Sequence, residues 1–318
     1  MALFLRRYAS RRAARDETEM FGPLPPARLI MTHDVDAIDK TVAITIKQSS
    51  FLFYQTIREL LHLRFAYAWT NAQRLFSFLT LRCNYREALM SLCEMETQLS
   101  IAAIYHFAAL NLKQRSLVSR LLDPSYDLLD SSVQELLREI TGRGHTIGLH
   151  PSFESWNDEL TMTQQRCKLA AITRQQILVS RQHWLRFSWH STWQCLVKAG
   201  ITFDSTLGFN DRPGFRVGAA LRYQPWIPGS DDSLKIDIVP LILMDSHIFD
   251  YSSLKPEQQE STIQSIIDEL VFVHGEAAIL WHPHTLSEDY GWSPSFLAVL
   301  KYVVSMREQG KIEVATSQ

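Results

Sequence analysis

Cysteine is scarce in this chain: Cys83, Cys93, Cys167 and Cys195 are scattered through 318 residues at no metal-finger spacing. They form no obvious disulfide framework, and reduced thiols packed in the interior are the expectation. Long apolar runs are also missing, none approaching the ~18 residues that suggest a membrane span. Charge of one sign is not in excess: the formal net charge is -2, without the basic surplus that marks a nucleic-acid partner. At the N-terminus a short apolar stretch precedes Arg6, Arg7, Arg11, Arg12 and Arg15, the reverse of the order in a secretory signal. The expectation from these absences is a cytoplasmic protein with no membrane span and no nucleic-acid partner.

Glycine and proline are absent from about Lys40 to Leu99, so that stretch reads as two or three helices. Its aromatics, among them Phe51, Phe53, Tyr54, Phe65, Tyr67 and Trp69, are expected on an amphipathic face turned to the core. Residues 1–20 form a basic leader, expected to be disordered or a frayed helix. The rest, 21–318, reads as one domain with a helical insertion at about 40–99. Strands are expected at Leu29–Met31, Ile101–Phe107, His145–His150, Ile201–Asp204, Lys235–Val239 with Leu241–Met244, Ala277–Trp281 and Ile312–Ala315. Helices are expected at Ser131–Arg143, Thr161–Ser180, Ser188–Ala199, Glu257–Val273 and Ser293–Gln309. Alternation of this kind predicts a parallel α/β domain, with a barrel as the expected closure.

With 46% apolar and 21% charged residues the chain can bury a substantial core. Against that background the ends of the strands are unusual. They carry Asp34 and Asp36, His150 and Glu154, Arg181 and His183, Asp204, and His282 and His284. Active sites of parallel α/β folds are built where strands end. Carboxylates mixed with imidazoles suit a zinc-like ion. Asp34 and Asp36 lie on one side of an extended chain and, if buried, repel each other unless a cation or a shared proton intervenes.

Taken in order, Thr32-His-Asp-Val-Asp36, Gly144-His-Thr-Ile-Gly148 with His150, Arg181-Gln-His-Trp184 and Ile279-Leu-Trp-His282 resemble the motifs of the polysaccharide deacetylases of the NodB-homology class. The resemblance covers most of the chain from Arg28 onward, apart from the helical insertion. It implies a distorted (β/α) barrel that removes N- or O-linked acetyl groups from sugars. It also implies a divalent metal, expected to be zinc, held by Asp36, His150 and Glu154. Glu154 stands where the family carries a second histidine, and His145 is the alternative ligand, weighed below a structural hydrogen-bonding role. By the same resemblance Asp34 is the base, paired with Arg181, and the Trp184 amide helps to hold the oxyanion. His282 is the general acid, tuned by Asp204. His33 occupies an aromatic position of the family and reads as packing.

Two loops offer substrate contacts: Gly208–Arg216, through Arg216, and Glu288–Trp292, through Tyr290 and Trp292. The expected substrate is an acetylated sugar or glycan. Metal-independent hydrolysis of non-peptide C–N bonds on the same fold, a non-catalytic glycan-binding relative and a barrel enzyme of another class are the competing readings.

Overall fold

The computed structural model describes residues 2–227, 229–252 and 254–316. Its strands are β1 (Ala27–Val35), β2 (Ala103–Phe107), β3 (Thr146–Leu149), β4 (Val179–Ser180), β5 (Phe203–Asp204), β6 (Asp237–Ile238), β7 (Leu241–Met244), β8 (Glu276–Leu280) and β9 (Ile312–Val314). They form one sheet in the order β6-β5-β4-β3-β2-β1-β8-β7, and β9 pairs with the first residues of β1. Every pairing between these strands is parallel. The edge strands β6 and β7 are joined by only Val239 and Pro240. Two residues span at most ~7 Å, so the sheet has to curl until its edges approach. The result is the distorted parallel barrel that the sequence predicts, with helices outside it.

Strand alternation divides each strand between two environments. Outward residues of β1, Leu29, Met31 and Val35, join a large core with the helices, including Leu136, Ile140, Phe296 and Val303. Inward residues form a smaller plug of Ile30, Ile104, Val179, Phe203, Ala278 and Leu280. Further along the same inward rows the residues become Thr32, Asp34 and His106. The barrel interior is thus apolar at the N-terminal ends of its strands and polar at the C-terminal ends.

His33 faces outward and is fully buried. Its Nδ1 lies 2.8 Å from the Trp281 carbonyl oxygen and its Nε2 2.8 Å from Glu96, which also accepts from the Tyr105 hydroxyl at 2.7 Å. The carbonyl can only accept, so Nδ1 carries a proton. These buried contacts fasten the helix Tyr85–Gln98 to β1 and β2 and to the segment after β8 that leads to His282.

The leader forms a helix, Ala2–Ala13, and the insertion forms three: Val42–Leu61, Phe65–Thr80 and Tyr85–Gln98. Only the third is packed as expected. Phe53, Tyr54, Phe65 and Trp69 are 58%, 61%, 65% and 67% exposed, so the first two helices turn much of their apolar surface outward rather than to the core. The expected helix over Thr161–Ser180 is shorter, Glu159–Thr173. It stops at Arg174, whose φ of 57° ends the helical path, and Val179–Ser180 is taken into the sheet as β4.

Gly148 shows how closely the interior is packed. It pairs in register with His106, which pairs with Asp34. A Cβ at Gly148 would lie 2.6 Å from His106 Cδ2, whereas a Cβ at Gly142, ending the helix Ser131–Gly142, would meet nothing within 4 Å. Gly148→Ala is expected to destabilise the protein by ~1–3 kcal/mol. Gly142→Ala is expected to be neutral or stabilising by up to ~1 kcal/mol in the same denaturation assay. Equal effects would contradict this packing account.

Candidate active site

β1 delivers Asp34 inward, and the next inward position, just past the strand end, is Asp36. Asp34 is buried between three basic side chains. Its Oδ1 lies 3.3 Å from Arg181 Nη1 and 3.0 Å from His106 Nδ1, and its Oδ2 lies 3.9 Å from His150 Nε2. Burial opposes ionisation of this carboxyl, but the charges of Arg181 and His150, with His106, hold it far below the usual carboxylate range. Arg181 is itself fully buried and fully engaged: it donates to the Thr32 hydroxyl at 2.7 Å and to the Ser205 carbonyl and hydroxyl at 3.2 and 2.9 Å. Burial pulls the His106 imidazole down to about 4, so at neutral pH it is uncharged.

Asp36 faces three imidazoles. Its Oδ1 lies 3.4 Å from His150 Nε2 and 3.6 Å from His183 Nε2, and its Oδ2 lies 3.6 Å from His282 Nε2. Asp36, His150 and His183 each present one ligand atom, all within 4.8 Å of one another. Asp36 Oδ1 is buried without a hydrogen-bond partner. The remote nitrogens of both histidines are held: His150 Nδ1 lies 2.6 Å from the Arg181 carbonyl oxygen and His183 Nδ1 2.8 Å from Asp123 Oδ1. With Nδ1 donating to those acceptors, each Nε2 can turn a lone pair into the space beside Asp36. An outer carboxylate or carbonyl orienting a ligand imidazole is the usual support of a metal site. One carboxylate and two imidazoles fit a divalent ion of borderline softness.

Glu154, the expected third ligand, is not in this group. It begins the short turn Ser155–Asn157, and its carboxylate accepts from the Ser116 hydroxyl. His183 occupies the place instead, carried by the segment after β4 rather than by a further turn of chain after β3. The alternative ligand His145 is also elsewhere: it accepts from the Ala103 amide at 3.2 Å and contacts the Thr97 hydroxyl at 3.1 Å. Trp184 and Leu185, directly after His183, have φ of 59° and 49°. Consecutive left-handed residues with large side chains are costly and cluster at functional sites. Here they turn the chain sharply beside a candidate ligand.

On the far side of Asp36 stands His282, just past the end of β8. Its Nδ1 lies 2.7 Å from Asp245 Oδ1, and its amide donates to Asp245 Oδ2 at 2.9 Å. Burial would lower the His282 pKa, but the charge and hydrogen bond of Asp245, with Asp36 and Asp34, raise it to about 10. The partner of His282 is therefore Asp245, at the end of β7, and not Asp204. The Asp204 carboxylate accepts from the Trp193 indole at 3.2 Å and from the Thr206 hydroxyl at 2.5 Å. It fixes the segment whose Ser205 carries Arg181, and burial raises its pKa to about 6.

Of the expected substrate contacts, Tyr290 lines the cleft above the site together with Asp36, His183, His284, Lys47 and Arg120. Trp292 does not: it is 3% exposed and stacks on Phe249 with ring centroids 4.5 Å apart. Arg216 is engaged in closing its own loop, donating to the Gly208 carbonyl at 3.0 Å. Lys47, from the insertion, projects over the Trp184 ring with its ammonium 4.5 Å from the centroid.

His106, Asp123 and Asp245 complete the site without being among the strand ends singled out in the sequence, and His183, singled out there without a ligand role, joins Asp36 and His150. His183 and Asp245 had a signal, since each follows an apolar strand at the end where such sites form. His106 lies within a strand, and Asp123 lies in a stretch with no pattern of its own. Purified His183→Ala is expected to lose stoichiometric divalent metal, and Glu154→Ala to retain it, by elemental analysis. The opposite pattern would restore Glu154 as the ligand.

No family model matches the sequence, and no curated protein matches it. Solved structures do. One is a Mycobacterium smegmatis protein named as a polysaccharide deacetylase, 17% identical over 93% of this chain and 88% of that one, with a TM-score of 0.55. Another is a Pseudomonas aeruginosa PAO1 protein named in the same way, 13% identical over 95% of this chain and 94% of that one, with a TM-score of 0.53. Along nearly its whole length this chain therefore has the fold of proteins named as polysaccharide deacetylases.

Proposed function

We propose that this protein is a metal-assisted hydrolase that removes an acetyl group, N- or O-linked, from a sugar or glycan. The observation that carries the reading is the placement of two proton-handling groups on either side of Asp36. Asp34, kept ionised by Arg181, lies on the His150 side, and the His282–Asp245 pair lies on the other. Hydrolysis of an acyl group needs both: one group to take a proton from the attacking water and one to give a proton to the departing nitrogen or oxygen.

A divalent ion, for which zinc suits the donor set, would be held by Asp36, His150 and His183 and would supply Lewis acidity toward the acetyl carbonyl. Binding it requires His150 Nε2 to be unprotonated. Burial already favours the neutral ring, but Asp34 and Asp36 raise its pKa above the ordinary value, so metal affinity should fall as the pH drops.

The chain's own groups then divide the work. Asp34 accepts a proton from water as the oxygen attacks the acetyl carbon. Arg181 holds this carboxylate in place, and His106 closes it off from below. His282 donates its Nε2 proton to the leaving nitrogen or oxygen, releasing acetate and the free amine or alcohol. Asp245 fixes the ring by its hydrogen bond to Nδ1, so that Nε2 points into the site. The backbone amide of Trp184 is assigned to the carbonyl oxygen as it gains charge, a contribution commonly of several kcal/mol. Tyr290 and His284, at the cleft wall, are the candidate sugar contacts.

Two tests follow. Asp34→Asn is expected to lower acetate release by about three orders of magnitude while metal content stays stoichiometric. Activity near that of the unmodified protein would remove Asp34 from the base role. Asp245→Asn takes away the main charge that raises His282, so His282 would lose its proton at lower pH. The alkaline limb of the kcat/KM profile should then move toward acid by about one to two pH units. An unmoved limb would mean that His282 is not the group reported there.

A further inference from the structure

The first two helices of the insertion present an apolar surface that the catalytic reading leaves without a task. On the helix Val42–Leu61, Val42, Ile46, Phe53, Ile57 and Leu60 fall within a narrow arc at helical spacing and are 40–76% exposed. On the helix Phe65–Thr80, Phe65, Trp69, Phe76 and Leu79 do the same at 56–69%. Across the active-site cleft the short helix Leu117–Leu122 exposes Leu117 and Leu121 at 77% and 73%. Thr41, Ile44, Lys47 and Gln48 from one side and Arg120 and Leu121 from the other line that same cleft. Ile44, Lys47 and Gln48 lie on the other side of the helix Val42–Leu61 from Val42, Ile46 and Phe53, so its stripe faces away from the cleft.

Charge narrows the choice of what covers this surface. Residues 40–82 hold six cations, Lys40, Lys47, Arg58, Arg64, Arg74 and Arg82, against one acid, Glu59, in a chain of net charge -2. Some of this charge is answered locally: Arg58 and Arg64 reach Glu59, Lys40 reaches Asp289, and Arg74 reaches Asp250. The segment with those acids is still positive. A second copy docked through the same patch would bring like charges together. A glycan would need hydrogen-bonding side chains among the rings, yet the stripe positions that accompany Phe53, Phe65, Trp69 and Phe76 are Val42, Ile46, Ile57, Leu60 and Leu79, which offer none. Apolar helix faces bordered by Lys and Arg, with no helix among the described residues long and apolar enough to cross a membrane, are the chemistry of a segment lying in a bilayer interface.

We propose that the insertion seats the protein on an anionic lipid surface through the outward stripes of its first two helices. The surface is recognised by its negative headgroups through the cations and by its acyl boundary through the apolar stripes. This inference does not depend on the deacetylase reading, because it concerns the face of the insertion and not the reaction.

The test is co-sedimentation of the full chain with vesicles of phosphatidylcholine alone and of phosphatidylcholine mixed with phosphatidylglycerol. The protein is expected to pellet with the mixed vesicles and to be released by added salt. Phe53→Ser with Trp69→Ser should weaken binding at least about tenfold, since two ring systems no longer leave water. Arg64→Ala and Arg82→Ala should each weaken it roughly fivefold. These positions are exposed, so thermal unfolding should stay close to that of the parent, and a variant that unfolds early is replaced by Ile46→Ser with Phe76→Ser. Protein left in the supernatant with mixed vesicles overturns the proposal, as does undiminished binding by the folded variants. A dimer in analytical centrifugation that the Phe53 and Trp69 changes abolish, without vesicle binding, also overturns it and makes the face a contact between copies.

Discussion

Two carboxylates at the end of one strand, Asp34 buried and Asp36 half-buried, are the constraint around which the rest of this protein is arranged. Asp34 and Asp36 point the same way because strand side chains alternate, and neither would remain ionised in the interior unaided. The chain answers each with a different set of partners. Asp34 receives a guanidinium that spends its other donors on Thr32 and Ser205. Asp36 receives three imidazoles, and its Oδ1 is left without a hydrogen bond. The first arrangement produces a fixed anion with little freedom to move. The second leaves a carboxylate oxygen among ring nitrogens, a donor set that fits a cation.

The support extends well beyond the groups that touch. His150 is steered by the carbonyl of Arg181, the same residue that neutralises Asp34, so β4 serves both carboxylates at once. His282 is steered by Asp245 from β7, and β8, which it follows, is tied through the Trp281 carbonyl to His33 and from there to Glu96. Asp34 and its neighbour His33 thus work on opposite faces of β1: the inward residues line the candidate site, and His33 anchors the strand to the helical layer. Gly148 belongs to the same logic, because the ring of His106 occupies the space a side chain would need.

The fold was legible in the sequence because alternation of apolar strands with helices is a local pattern repeated along the chain. The site was legible to the extent that several strands ended in polar residues, and Asp34, Asp36, His150, Arg181 and His282 all converge. What failed was assignment by sequence spacing. Glu154 was selected for its position four residues after His150, but the chain turns away there into a short helical turn and leaves the carboxylate on Ser116. Asp204 was chosen as an acid at a strand end, while the strand beside β8 is β7, and its following residue is Asp245. Adjacency in the sheet is a long-range property, which a single sequence does not express. The insertion misled for a different reason: periodicity identifies an apolar face but not what that face meets.

The central claim is that Asp36, His150 and His183 hold one divalent ion between Asp34 and His282. Anomalous diffraction at the zinc edge from crystals equilibrated with zinc tests it most directly. The account predicts a single strong peak about 2.0–2.2 Å from Asp36 Oδ1, His150 Nε2 and His183 Nε2. A peak ligated by Glu154 or His145, or no peak between these three atoms, would contradict it.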